Sequence, residues 1–468
     1  MAFNILPIEL NKEIAGYLES DKDLCNFRLV CQNACNAIDG DHLSFWRHRF
    51  LQFFDPTGRE TTNAEYMRLY QTRRMWLKRG SKFYYGHKKE EKQCLQVVKD
   101  LINESFNGKD ELILPDGTLT CLNLECLHRF VYNTDIIQNI LRPIKQNNSV
   151  HPIHNIHPGL AAVQVALSHF TLDLALNPTV FSFDDSQKMA YECAKRAPIF
   201  TDVNKTHINM SWVLHMMNFF RWHIMRETEA TLYYPYHDSL HELEKAKGWT
   251  MNPAKRVNAQ QLGKYWKGTY AYLDRDEVEN LRNHPANPYV YPDHNVDQGE
   301  RSIQTLRLEI PPKEKVTWPY TFEKHLHALP ERSLPRTRAQ HRSGGASAGP
   351  AVSFQFNGDG YDSEPFYSSG WLNPLPNQYG IAGWQRMTMM KFFYDENGQP
   401  DENALWAYEG VVLPGGQIML GRWWSPEEGA INTTEMYSGP FILWNVDGSP
   451  EVEDELDPVE PEDGIVGP

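Results

Sequence analysis

Near the start of the chain Leu6, Leu10, Ile14 and Leu18 fall four apart, which is one stripe of a helix. Pro7 sits in its first turn, where a missing N–H costs nothing. The pattern ends this helix near Glu19, and Ser20 with Asp23 three residues on resembles a capping box that opens a second. Leu24, Phe27, Val30, Cys31, Ala34 and Ile38 continue that second stripe. From Leu43 a short aromatic helix follows, with Phe45, Trp46, Phe50 and Phe53 among Arg47, His48 and Arg49. Residues 1–50 therefore read as a three-helix unit. So small a unit exposes much apolar surface if it stands alone.

Helical spacing continues through 60–108, with Tyr66, Leu69, Tyr70, Met75, Trp76, Leu77, then Cys94, Leu95, Val97, Val98, Leu101 and Ile102. Pro115-Asp116-Gly117 is a turn signal, and 119–142 and 158–228 are helical again, so 51–261 reads as a helical spacer. The texture changes near Leu262. Strand-like runs at 265–272, 302–310, 352–356, 385–394, 405–413, 417–424 and 441–444 are separated by Gly, Pro, Asn and Asp. In the 302–310 run, Gln304, Leu306, Leu308 and Ile310 alternate with Ile303, Thr305, Arg307 and Glu309. Seven or more short strands predict a sandwich or a closed up-and-down barrel over 262–450. The expected fold class is α+β: an N-terminal three-helix unit, a central helical region and a C-terminal antiparallel barrel with long loops.

Charge sharpens the ends. The chain has 468 residues, 46 Lys+Arg against 60 Asp+Glu, and a net charge of −14. Eight of the acids and no base lie in 451–468, which reads as a disordered tail and leaves a body of −6 without the basic excess that nucleic acid needs. The 331–350 stretch, with Arg336, Arg338, Arg342 and the run Ser343-Gly344-Gly345, has the composition of a flexible basic loop. Seven cysteines, odd in number and set partly in helical patterns, read as reduced thiols. With no basic n-region before an apolar run and no stretch of eighteen apolar residues, the expected compartment is cytoplasm or nucleus, with no membrane span.

Read as a motif, the N-terminal unit runs Leu6-Pro7-Ile8-Glu9-Leu10, Glu13-Ile14, Tyr17-Leu18, Asp21-Lys22-Asp23-Leu24, Phe27-Arg28-Leu29-Val30-Cys31 and finally Phe45-Trp46. In order and spacing it resembles an F-box. The resemblance implies docking on the Skp-family adaptor of cullin-RING ubiquitin ligases through Leu6, Pro7, Leu10, Ile14, Leu18, Leu24, Leu29, Val30, Cys31, Phe45 and Trp46. Stripes on more than one face of so small a unit leave apolar area that a partner can cover. The alternative is a helical subdomain packed on its own chain.

Further on come Gly263-Lys264-Tyr265-Trp266-Lys267-Gly268-Thr269-Tyr270, Gly383-Trp384-Gln385-Arg386, Tyr408-Glu409-Gly410-Val411-Val412-Leu413-Pro414-Gly415-Gly416, Leu420-Gly421-Arg422-Trp423-Trp424 and Tyr437-Ser438-Gly439-Pro440-Phe441. These blocks look like the substrate domain of F-box receptors that bind D-type cyclins, a lipocalin-like barrel, and like the C-terminal part of fungal F-box proteins. Pro414-Gly415-Gly416 between apolar runs is hairpin chemistry, and Gly410 and Gly421 mark bulges or close backbone approach. The tryptophans Trp384, Trp406, Trp423, Trp424 and Trp444 can build a cup for a peptide, where Arg386 or Arg422 meets a carboxylate or carbonyl, and Trp266, Tyr270 and Tyr408 complete the candidate target-binding residues. Taken singly, each tryptophan reads better as barrel core.

Three histidine and cysteine groupings invite zinc: His151/His154/His157, His237/His241 beside Glu242, and Cys121/Cys126/His128. None completes a metal motif, and Asp359, Asp362 and Glu364 read as a polar turn. There is no phosphate loop, nucleophile elbow or dinucleotide fingerprint. The expectation is a non-catalytic substrate receptor without cofactor, its F-box on the adaptor and its barrel on an unidentified target protein. The alternative is a small-ligand or metal-binding barrel whose F-box serves turnover or a non-ligase adaptor complex.

Overall fold

The computed structural model describes residues 5–108, 112–113, 119–137, 144–146, 149–151, 156–171, 183–225, 232–234, 236, 249, 251–258, 262–283, 290–296, 303–310, 312, 326, 353–394, 401, 404–426 and 437–447. The loop 331–350, the tail 451–468 and His154, His237, His241 and Glu242 lie outside the described residues. The architecture is α+β, in two compact units, one from Met1–Lys82 with Lys88–Thr134, the other from Phe83–His87 with Asp135–Pro468.

In the first unit the N-terminal segment holds four described α-helices where three are expected: α1 (Ile8–Tyr17), α2 (Asp21–Arg28), α3 (Gln32–Asp39) and α4 (Ser44–Phe53). The second stripe is continuous in sequence but broken in the backbone. Cys31 is extended (φ −163°, ψ 169°), and its thiol accepts from the Ala34 N–H and starts α3. Ser20 caps α2 as its spacing predicts, accepting from Lys22 N–H and Asp23 N–H at 3.2 and 3.4 Å. The face of α1 is a second correction. Asn11 and Ala15 turn inward, not the stripe of Leu10, Ile14 and Leu18, because Asn11 Nδ2 donates to the Leu6 and Pro7 carbonyls and small, fully buried Ala15 lets α3 come close.

α5 (Asn63–Arg79) opens on a reciprocal Thr62–Glu65 capping box, and α6 (Lys89–Glu104) buries the expected run from Cys94 to Ile102. A short hairpin, β1 (Leu112–Ile113) and β2 (Leu119–Thr120), leads to α7 (Leu122–Asn133). All seven cysteines are free, and no helix among the described residues is long and apolar enough to cross a membrane.

The second unit carries the hairpin β3 (Ile144–Gln146) and β4 (Ser149–His151), then α8 (Pro158–Ala166), α9 (Ser168–Thr171), α10 (Phe183–Tyr191), α11 (Met210–Ile224) and α12 (Pro253–Asn258). Eight antiparallel strands then close an up-and-down barrel: β5 (Tyr265–Tyr270), β6 (Gln304–Glu309), β7 (Phe354–Tyr361), β8 (Pro365–Pro374), β9 (Gln385–Phe392), β10 (Trp406–Val412), β11 (Ile418–Trp424) and β12 (Ser438–Asn445). Helix α13 (Arg275–Asn283) lies between β5 and β6 in sequence, and α10 and α11 pack on β12 and β11.

Alternation sorts each strand. Leu306, Leu308, Phe356, Phe366, Met387, Met389, Val412, Met419, Phe441 and Leu443 fill the interior. Strand β8 has no counterpart among the expected runs. Its Ser368-Ser369-Gly370 centre and flanking prolines carry no apolar period, and only pairing with β7 and β9 makes it a strand. Gly410 and Gly421 face each other across β10 and β11, and a Cβ on Gly421 would meet the Phe441 ring at 2.3 Å, so close approach is their reason. Gly415 and Gly416, at φ 95° and 66°, make the tight turn between those strands.

Candidate functional site

The F-box-like residues separate into an inner and an outer set. Leu24, Phe45 and Trp46 are buried; Leu6, Ile14, Leu18 and Cys31 are half-buried; Pro7, Leu10, Leu29 and Val30 are exposed. Trp46 packs edge-on against Phe45 and at a tilt on Tyr70, each with ring centroids 5.8 Å apart, so it is core and not a free contact. Outside stand Ile5 (84% exposed), Leu29 (82%) and Tyr17 (78%), followed by Leu10, Val30 and Ile8. Six of the sixteen exposed large apolar side chains among the described residues thus fall between positions 5 and 30, a density that chance placement does not explain. Ile5, Ile8 and Tyr17 join the exposed set although they are not among the adaptor contacts that the resemblance implies; the period of the buried Asn11–Ala15 face is the signal that would have exposed Tyr17.

A buried cation holds this surface in shape. Arg49 on α4 is 1% exposed and donates to the carbonyls of Gly16 (3.1 Å) and Leu18, closing the C-terminal end of α1. Its Nε donates to the Tyr70 hydroxyl at 3.2 Å, and that hydroxyl donates to Asp21 in the first turn of α2. Burial, then the bond to Asp21, pushes the Tyr70 phenol up to about 12. Beside it, α1 and α4 line a cleft of about 410 Å³ with Lys12, Glu13, Gly16, Tyr17, Phe45 and His48 on its walls.

The eight proposed target-binding residues do not converge on one cleft. Trp266, Tyr408 and Trp423 belong to the barrel interior, and Tyr270 is half-buried against it. Trp384 is fully buried just before β9, its Nε1 donating to the Ile381 carbonyl at 3.0 Å. Arg386 and Arg422 lie on the outer wall but are covered. Arg386 Nε donates to Glu409 at 2.9 Å, and Arg422 Nη2 donates to the Ala197 carbonyl at 2.9 Å with its guanidinium over Trp212. Burial, aided by Arg282, pulls Arg422 down to about 10. Burial pushes the Glu409 carboxyl up, but Lys205 at 2.7 Å and Arg386 outweigh it and hold it below its ordinary value. Trp424 belongs to a separate cluster with Met390, Phe392 and Leu405.

What the register does bring together is one barrel mouth. The pairs Trp406 with Lys391 and Tyr408 with Trp423 set the end of β9, the start of β10 and the end of β11 side by side, while Phe441 opposite Tyr270 adds the end of β5. Trp423, 4% exposed, is the floor: its ring centroid lies 5.4 Å from those of Trp406 and Tyr437 and 6.0 Å from that of Tyr270. Trp406, Tyr270, Tyr272, Tyr437 and Phe393 around it are only partly buried, which leaves an aromatic surface facing outward. Trp423 Nε1 and the Tyr437 hydroxyl donate to the carbonyls of Ala271 and Leu273, so these rings are pinned.

Lys391 points into this mouth. It is 4% exposed, ion-paired with Asp362, and its Nζ stands 4.1 Å from the Phe366 ring centroid. Burial lowers the lysine's pKa, and Lys391 in turn holds Asp362 below the usual carboxylate range against its own burial. The segment read as a polar turn is therefore where the counter-charge of a buried cation sits. On the rim, Asp274, Glu277 and His294 bring ligand atoms within 4.8 Å of one another, but the contact of Asp274 N–H with Glu277 at 3.1 Å is the N-terminal cap of α13. His157 caps α8, and the Cys121 thiol caps α7.

No family model, curated protein or solved structure matches this chain.

Proposed function

We propose that this protein is the substrate-recognition subunit of an SCF-type cullin-RING ubiquitin ligase. The observation that carries the reading is the concentration of exposed apolar side chains within residues 5–30, on a well-buried helical scaffold: Ile5, Ile8, Leu10, Tyr17, Leu29 and Val30 stand outside a core of Leu24, Phe45 and Trp46. Such a surface is what docking on a Skp-family adaptor needs. The barrel, lipocalin-like by the resemblance, holds a target protein at its aromatic mouth through Trp406, Tyr270, Tyr272 and Tyr437. The chain has no reacting atoms in this role. It raises the effective concentration of target lysines near the charged conjugating enzyme, in the cytoplasm or nucleus.

The filled interior favours a protein target over an enclosed small ligand, because the residues that would line a lipocalin-type cavity pack against one another. The test is co-purification with a Skp-family adaptor from cells. Leu29→Asp and Val30→Asp change exposed side chains, so they should leave thermal unfolding unchanged while adaptor and cullin capture falls at least about tenfold. If both variants retain wild-type adaptor capture, the reading is wrong.

A further inference from the structure

Six arginines are buried among the described residues: Arg49, Arg73, Arg221, Arg282, Arg386 and Arg422. Five have acceptors. Arg49 and Arg422 donate to backbone carbonyls, Arg73 to Glu104, Arg282 to the Tyr191 carbonyl and Ser438, and Arg386 to Glu409. Arg221 does not. It lies on α11, is 2% exposed, and neither its Nε nor its Nη2 has a hydrogen-bond partner among the described residues.

The identity of the two open nitrogens matters. Nε–H and one Nη2–H point the same way along one edge of the guanidinium plane, the edge that grips a carboxylate through two parallel bonds. That edge is withheld from solvent on a helix in which thirteen of fifteen residues are buried. Leu214, Met217 and Asn218, seven, four and three residues earlier, share its face and are buried too. Burial alone pulls the guanidinium down to about 9, with no acidic group among the described residues contributing a compensating pull. A buried ion without a counter-ion is among the costliest features a fold can carry.

We infer that Arg221 anchors a buried site for a small carboxylate with an apolar body. The carboxylate oxygens sit on the Nε–Nη2 edge, and the apolar part lies among the side chains of α11. One negative charge fits better than two. The other cationic candidates on α11 are engaged, His215 with Ser186 at 3.1 Å and His223 with Asp293 at 3.2 Å, so a dianionic phosphate would find one open cation on this helix. This site stands apart from the ligase reading.

The experiment is thermal unfolding of the full chain against benzoate and octanoate, with benzyl alcohol and octanol as uncharged controls and inorganic phosphate as the competing anion. In the wild type at least one carboxylate should raise the midpoint saturably by about 2 °C or more, and the alcohols should not. Arg221→Met should melt higher than the ligand-free wild type and lose the response. Arg221→Lys keeps the charge without the fork, so its half-saturating concentration should rise about tenfold or more; it also answers the question if the methionine variant does not fold. A wild type that responds to neither carboxylate, or a response that survives in both variants, overturns the site. A response to phosphate alone overturns the carboxylate assignment.

Discussion

The Tyr70 hydroxyl donates to Asp21 Oδ1 across 2.6 Å while accepting from Arg49 Nε at 3.2 Å, so one phenol on α5 joins the first turn of α2 to the cation that closes α1. The F-box-like helices therefore depend on a helix outside the motif. Tyr70→Phe removes the relay and leaves a buried guanidinium with one acceptor fewer. The expected cost is about 1–3 kcal/mol in urea unfolding of this unit, with adaptor capture normal at temperatures where the variant is folded. Full stability in Tyr70→Phe would show that Arg49 is satisfied by the α1 carbonyls alone.

The Lys391–Asp362 pair is buried at the aromatic mouth. Asp362→Asn strands a buried ammonium and should destabilise by about 3–5 kcal/mol, whereas Asp362→Asn with Lys391→Met should recover most of that loss. A double-mutant cycle by urea unfolding measures it. Additive costs would mean the two groups do not interact.

Target capture should separate from folding at the mouth. Trp406→Ala and Tyr437→Ala alter partly buried rings, so the target proteins recovered on affinity purification should fall several-fold while adaptor capture persists. Trp266→Ala empties fully buried core and should cost about 3–5 kcal/mol. Undiminished target recovery with both mouth variants would remove the mouth from the recognition surface.

Acid should affect the buried and half-buried carboxylates of the two units with opposite sign. In the second unit Asp362 and Glu409 have folded pKa values below their unfolded ones. Their contribution is whole above the ordinary carboxylate range, about pH 4–4.5, and is lost as pH falls through the lower folded values. In the first unit burial raises Asp55, Asp100 and Glu104. The folded state then holds more protons, so these groups favour folding below the unfolded value, an advantage lost as pH rises through the folded one. Hydrogen exchange between pH 6 and 3.5 should show the barrel strands losing protection before α6. The reverse order would contradict these directions.

Much of the barrel was legible because a filled interior writes its own period. Gln304, Leu306 and Leu308 alternate with Thr305, Arg307 and Glu309, and the Pro414-Gly415-Gly416 turn carries its conformation in its residue types. Strand β8 was not legible, since its serines and glycine become a strand only between β7 and β9. The proposed recognition residues were half legible. Trp406 and Trp423 do meet at one mouth, yet Trp266 and Trp384 look no different in sequence and are core. Arg386 and Arg422 read as ligand-facing because a charge among aromatics invites that reading; Glu409 and the Ala197 carbonyl, which satisfy them, are distant in the chain.

The sequence by itself determined what depends on neighbours a few residues away: the order of helices and then strands, the Ser20 cap, the hairpin turn and the F-box-like spacing. Those features follow from local backbone preference and periodic burial. Only the tertiary structure decided which apolar residues are core and which are left outside, turning Trp46 in and leaving Leu29 82% exposed. It alone decided which charges find partners, giving Lys391 its Asp362 and leaving the Arg221 edge open. Burial and pairing are set by contacts between segments far apart in the chain, and a one-dimensional pattern does not contain those distances.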